Sequence, residues 1–226
     1  MFKLKLATLN AATFLLVAMS AYAEGLAFPK PNPERGGIAV TMRARLPAGN
    51  KKPVDRVHFV RLGSQADMFA AESVVASSFS KEKQVYLLNA EPGRYVAVAA
   101  DLGGANLTTG EFKVFFDKAT IAETEVEVTP GRIAFMGDFL IDLKVKMNKS
   151  DEAQAHYFLL IAPDAAAPAK KGFFSKGGSS VVPYRGDLVS VDREASTQTE
   201  FWTLARDKVF DNESAWRAEI EEELGN

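Results

Sequence analysis

Cysteine is absent from all 226 residues. That removes disulfides, thiol nucleophiles, zinc–thiolate centres and iron–sulfur clusters together. It also removes the acylation site a lipoprotein needs. Histidine is nearly as scarce, with only His58 and His156 available for acid–base work or metal ligation. His58 lies in a strand-like pattern and His156 opens another. Neither has a second histidine or a carboxylate at ligand spacing, so both read as structural or surface residues. No G-x-S-x-G elbow points to a serine nucleophile. Asp101-Leu102-Gly103-Gly104 lacks the lysine that gives a phosphate-cradling loop its force. Neither sign of charge dominates: 27 basic and 29 acidic residues give a formal charge of −2. No global field therefore draws the chain to nucleic acid or to an anionic lipid surface. The expectation is a protein with no cofactor, no metal site and no catalytic set.

Long apolar runs are also missing, with one exception. Lys3 and Lys5 precede an uncharged stretch from Leu6 to Ser20, densest at Thr13–Met19, and Ala21-Tyr22-Ala23 supplies a small-x-small cleavage pattern before Glu24. The dense part falls short of the roughly 20 residues a spanning helix requires, so residues 1–23 read as a signal peptide cut after Ala23. No other segment is apolar enough to cross a bilayer. An exported chain without cysteine depends on its hydrophobic core alone, which suits a bacterial periplasmic or secreted protein. The sequons at Asn106, Asn148 and Asn212 carry no glycan in that setting.

What remains is rich in β pattern. Residues 24–36 hold three prolines and read as an extended lead-in. From Gly37 the chain alternates: Ile38, Val40 and Met42 in one segment, Val57, Phe59 and Arg61 in the next. Gln84–Leu88 and Arg94–Ala100 flank a turn at Pro92-Gly93. Glu111–Phe116 and Thr120–Val128 read as a hairpin joined by Asp117-Lys118-Ala119. Ile133–Lys146 reads as one long strand bent or bulged at Gly137, and His156–Ile161 as the last strand of a domain spanning 37–161. Ser64–Phe79 reads as a loop followed by a strand. Residues 162–195 read as a flexible loop with one possible further strand over Val181–Val191. Phe201, Leu204, Ala205 and Val209, then Trp216, Ile220 and Leu224, are spaced as a helical hairpin over 196–226. Regular turn signals predict a mainly β fold: an antiparallel β-sandwich, immunoglobulin-like or prealbumin-like, with a C-terminal helical hairpin.

Few residues propose themselves as a site. Glu123, Glu125 and Glu127 fall on one face of the expected strand, where a solvated, aggregation-blocking face is a simpler assignment than a calcium cage. Asp138 and Asp142 share a strand face about 13 Å apart, too far to act as an acid–base pair. Lys170, Lys171, Phe173, Phe174 and Lys176 place two aromatics among lysines in a glycine-rich segment. They are candidates for contact with an envelope protein or glycan. The alternative is that both rings fold back over the edge of the core.

Glu91-Pro92-Gly93-Arg94-Tyr95-Val96 and Glu127-Val128-Thr129-Pro130-Gly131-Arg132-Ile133-Ala134-Phe135 repeat one device, a Pro-Gly turn feeding a strand. This resembles the Pro-Gly-x-Tyr turn-strand of exported bacterial carboxypeptidase-regulatory-like or prealbumin-like domains. The resemblance covers roughly residues 37–147 and rests on turn chemistry, so it implies fold and compartment, and a non-enzymatic accessory or binding role with no catalytic residues to carry over. The expectation is an exported, non-enzymatic binding or envelope-associated accessory protein. The alternatives are a periplasmic hydrolase using carboxylates such as Asp138 and Asp142, or a structural subunit docking through the acidic helix Glu213–Glu223.

Overall fold

A computed structural model describes residues 28–63, 69, 74–102, 112–144, 151–163, 182–210, 212 and 214–225. The signal segment with Ala21, Ala23 and Glu24 lies outside the described residues, as do Lys170, Lys171, Phe173, Phe174 and Lys176. Residues 1–30 form one unit, of which only 28–30 are described; everything below concerns the other unit, Pro31–Asn226.

Alternation along the strands is the organising pattern. On β1 (Gly36–Arg45), Ile38, Val40, Met42 and Ala44 enter the main core while Thr41, Arg43 and Arg45 alternate with them on the other face. From Gly137 onward β10 (Ile133–Lys144) keeps that two-residue period, whereas β3 (Arg56–Arg61), β6 (Gln84–Ala90), β7 (Gly93–Leu102) and β8 (Phe112–Phe116) are buried along most of their length, and β11 (Val182–Asp192) completes the long strands. Short strands complete the set: β2 (Lys51–Pro53), β4 (Val74–Ala76), β5 (Phe79–Lys81) and β9 (Val126–Val128).

The fold is mainly β, a mixed sheet curled into a half-barrel in the order β4-β3-β7-β8-β11-β10-β1-β6-β5. β2 adds to β1 and β9 to β7. It is not purely antiparallel, because β1 runs parallel to β10 and β11 parallel to β8. Those two pairs depart from the expected antiparallel sandwich; parallel neighbours need crossover connections, which alternation within a strand does not reveal. The register of β1 on β10 skips one residue at Met136, next to Gly137 (φ +134°), so the bulge falls where the glycine permits it.

The terminal strands of this order, β4 and β5, are consecutive in the chain and separated only by Ser77 and Ser78. The Ser77 N–H donates to the Val57 carbonyl (2.8 Å) on one edge, and the Ser78 N–H donates to the Tyr86 carbonyl (2.7 Å) on the other. Their hydroxyls accept from the N–H groups of Val57 (3.2 Å) and Leu88 (3.0 Å). One bent segment therefore serves both edges of the sheet.

Two expected strands are helices. Thr120–Val128 splits into α1 (Lys118–Glu123) and the three-residue β9, so Glu123, Glu125 and Glu127 do not line one strand face. Asp117, expected in a hairpin turn, caps α1 by accepting from the Thr120 N–H at 2.8 Å. His156–Ile161 belongs to α2 (Glu152–Ile161), where Asp151 accepts from the Gln154 N–H at 3.0 Å. In both places a capping aspartate outweighs a short apolar run that reads equally well as a strand.

The C-terminal segment is α3 (Ala195–Leu204), a π-helical turn over Ala205–Val209, and α4 (Arg217–Gly225). It makes a second, aromatic core on the outer face of the sheet. Phe79 stacks on Tyr86 at 4.9 Å, Phe210 meets Tyr86 at 5.1 Å, and Phe135 meets Phe201 at 5.0 Å. Trp202 and Phe210 are fully buried. Each such side chain contributes about 1.5–3 kcal/mol by leaving water, so these helices are part of the fold rather than an appendage.

Gly186 shows how tightly the inner face is packed. A β-carbon there would lie 2.6 Å from Val114 Cγ1 and 2.8 Å from Ile141 Cγ2. Gly186→Ala is expected to lower stability by about 1–3 kcal/mol through overpacking, read as a reduced urea midpoint at unchanged slope. An unchanged midpoint would show that the inner face has slack.

Candidate functional site

The outer face of β1 and β10, left open beside the helices, carries arginine against aspartate. Arg45 and Asp142 are register partners and form a fork, Nε to Oδ1 at 2.5 Å and Nη2 to Oδ2 at 2.8 Å. That hydrogen bond holds the Asp142 carboxyl below its ordinary range, and raises Arg45. Arg43 meets Asp138 differently. Its Nη2 reaches both carboxylate oxygens at 2.9 Å, and its buried Nε has no hydrogen-bond partner among the described residues. Two like pairs lie side by side, and only one has closed its fork.

The open pair borders a cleft of about 240 Å3. Thr41, Arg43, Phe135 and Asp138 form its floor, α3 supplies Thr197, Glu200 and Leu204 as a wall, and Glu82 and Lys83 stand at the rim. The rim is the two-residue turn between β5 and β6, and both of its residues are left-handed (Glu82 φ +53°, Lys83 φ +69°). A right-twisted hairpin with a two-residue loop demands that geometry, which neither glutamate nor lysine favours.

A buried amide fixes wall to floor. Gln84 Nε2 donates to the Phe201 carbonyl of α3 at 2.9 Å, and Gln84 Oε1 accepts from the Tyr86 hydroxyl at 2.7 Å. Burial pushes the Tyr86 hydroxyl far above its ordinary pKa, so it stays a neutral donor. Phe135 also lines a second cleft of about 260 Å3, with Thr129, Arg132, Gln198 and Glu223. There Arg132 donates to Glu223 at 2.8 Å.

The two histidines separate in role. Sequence spacing gives His58 no carboxylate, but folding does: its Nε2 lies 3.0 Å from Asp101 Oδ1, which also accepts from Lys113 Nζ at 2.9 Å. Burial raises the Asp101 pKa, but hydrogen bonds and charge from His58 and Lys113 outweigh it and leave the carboxyl below its ordinary range. His156 lies on α2 with its ring edge-on to Phe69 at 5.5 Å and to Tyr157 at 4.9 Å. Its packing is aromatic.

Asp138 and Asp142 each hold an arginine, so the structure joins neither to a second carboxylate as an acid–base pair. Among the described residues no group of three or more His, Cys, Asp or Glu side chains is placed to hold a metal ion. Among the same residues no helix is long and apolar enough to cross a membrane. Arg43, Thr197 and Glu200 went unnoticed in the sequence. The available signal was Arg43 and Arg45, two apart on one strand face, with Asp138 and Asp142, four apart, on one face of another. A comparison with protein-family models finds no match to this chain, and a comparison with curated proteins finds none either.

Because its folded pKa is depressed, Asp101 contributes stability that is present above its unfolded pKa and is lost as pH falls below about 4. Asp101→Asn is expected to be destabilised by about 1.5–3 kcal/mol at pH 7, with the gap to wild type closing below pH 4. Thermal melts across pH 3–8 check this. A gap independent of pH would mean that the loss is one of packing.

Proposed function

We propose that the protein is an exported, non-enzymatic binding protein of the bacterial envelope, and that its ligand sits in the cleft between α3 and the Arg43–Asp138 pair. The observation that carries this reading is the cleft itself. It is a concavity outside both cores, on strands and a helix locked together through Gln84, with donors, acceptors and an aromatic ring converging on it. The repeated Pro-Gly turn-strand, with its resemblance to exported carboxypeptidase-regulatory-like domains, favours the same role and compartment.

The hydrolase alternative fares worse. A general acid needs a raised carboxyl pKa, and Asp142 is shifted the other way. The structural-subunit alternative keeps an acidic face, since Glu221 and Glu222 stay exposed, but Trp216 and Ile220 are buried within the chain's own fold and offer a partner no apolar anchor.

Saturation-transfer NMR of the purified protein against a soluble digest of the envelope tests the cleft. Signals from a bound component are expected with wild type and absent with Thr197→Trp, which fills the cleft from a half-buried position, while both proteins melt within a few degrees of each other. Equal signals from the two proteins would place binding elsewhere. Loss in Phe173→Ala/Phe174→Ala alone would move it to the lysine-flanked aromatic segment. Export predicts that protein recovered from the periplasmic fraction starts at Glu24 by intact mass. A product retaining Met1 would overturn that compartment.

A further inference from the structure

We infer that the unit recognised in the α3 cleft is a neutral sugar ring, an inference that rests on the binding reading above. Charge is the first reason. Arg43 is already paired with Asp138, and Lys83 stands beside Glu82 at the rim, which leaves Glu200 as the surplus charge. An anionic ligand would face Asp138 and Glu200, and a cationic one would compete with Arg43 for Asp138. A neutral ligand disturbs neither arrangement.

Hydrogen-bond chemistry is the second reason. The cleft presents charged donors on Arg43 beside acceptors on Asp138 and Glu200. Thr197 gives its proton to Asp192 (2.9 Å) and so turns lone pairs to its surroundings. A hydroxyl both donates and accepts, so adjacent hydroxyls on a ring can bridge such a mixed set, which a purely donating or purely accepting ligand cannot.

The third reason is the apolar surface shared by floor and wall. Phe135 is half-buried and Leu204 is 37% exposed, giving the C–H face of a ring something to rest on. A volume of about 240 Å3 lies below the roughly 300–1,000 Å3 of pockets for drug-sized ligands, which suits one ring of a longer chain. An extended peptide would seek unpaired strand backbone. Here β1 is flanked by β10 and β6, and β10 by β1 and β11, so the floor offers no free edge for strand addition.

Calorimetric titration tests the assignment. The neutral probes are the methyl glycosides of glucose, galactose, mannose and N-acetylglucosamine with their β-linked trisaccharides. The competing probes are glucuronic acid, glucose 6-phosphate and trialanine. At least one neutral sugar is expected to bind wild type, and Thr197→Trp and Glu200→Gln are each expected to weaken it tenfold or more. Asp142→Asn, which alters the neighbouring arginine pair outside the cleft, is expected to leave affinity within twofold. If Thr197→Trp abolishes binding of a charged or peptide probe while no neutral sugar binds, the sugar assignment falls and the binding site stands. If a sugar binds all variants equally, the cleft is not its site and the inference is overturned. If no probe binds, and signals from the envelope digest also ignore Thr197→Trp, both readings fall together.

Discussion

The fold depends on a corner. Because β4 and β5 are separated only by Ser77 and Ser78, the sheet must curl until its two ends lie within reach of one short segment. The two serines make that segment pair to both sides, each through its backbone N–H and its hydroxyl. The curl then turns one face of every long strand inward. Ile38, Val57, Val98, Val114 and Ile141, from five strands, share one core as a result. It also protects the sheet, since a strand edge that would otherwise template aggregation is occupied by the neighbouring piece of the same chain.

The outer face is divided by what covers it. The C-terminal helices bury Tyr86 and pack against Phe135, and the aromatic side chains gathered there turn half of that face into a second core. The cleft marks where that cover stops. Arg43 lies at the boundary, lining the cleft with its Nε buried. An unpaired buried donor is unfavourable by about 1–3 kcal/mol, so the pair it belongs to is the least settled charge contact on that face. Arg45, one strand period further out, shows the settled form.

Much of the β pattern was legible because alternation and turn chemistry are local. Ile38, Val40 and Met42 announce their face without help, and Pro92-Gly93 announces its turn. A strand over Val181–Val191 was legible only as a possibility and forms as Val182–Asp192, while the helical spacing picked out Phe201, Ala205 and Val209, which are buried, together with Leu204, which is not. The two helices that replaced expected strands were not, although Asp151 followed three residues later by Gln154 is a recognisable start signal. Strand direction was out of reach, because a parallel neighbour and an antiparallel one demand the same alternation. The His58–Asp101 contact joins residues 43 apart. The cleft was invisible because Thr197, Glu200 and Arg43 each read as solvent-facing side chains until α3 is laid across β10.

The parallel pairing of β1 with β10 also sets an order of events in time. Strand β1, the first among the described residues, waits for a partner about 95 residues downstream, and β11, which joins β8 to β10, comes later still. Sheets dominated by such distant pairings fold in milliseconds to seconds rather than microseconds. No N-terminal fragment ending before Asp192 holds the full set of neighbours, so nearly all of the chain must be present before the fold can close. Until then Val57, Phe59 and Val98 lack part of the core that covers them, and that open apolar surface is prone to aggregation.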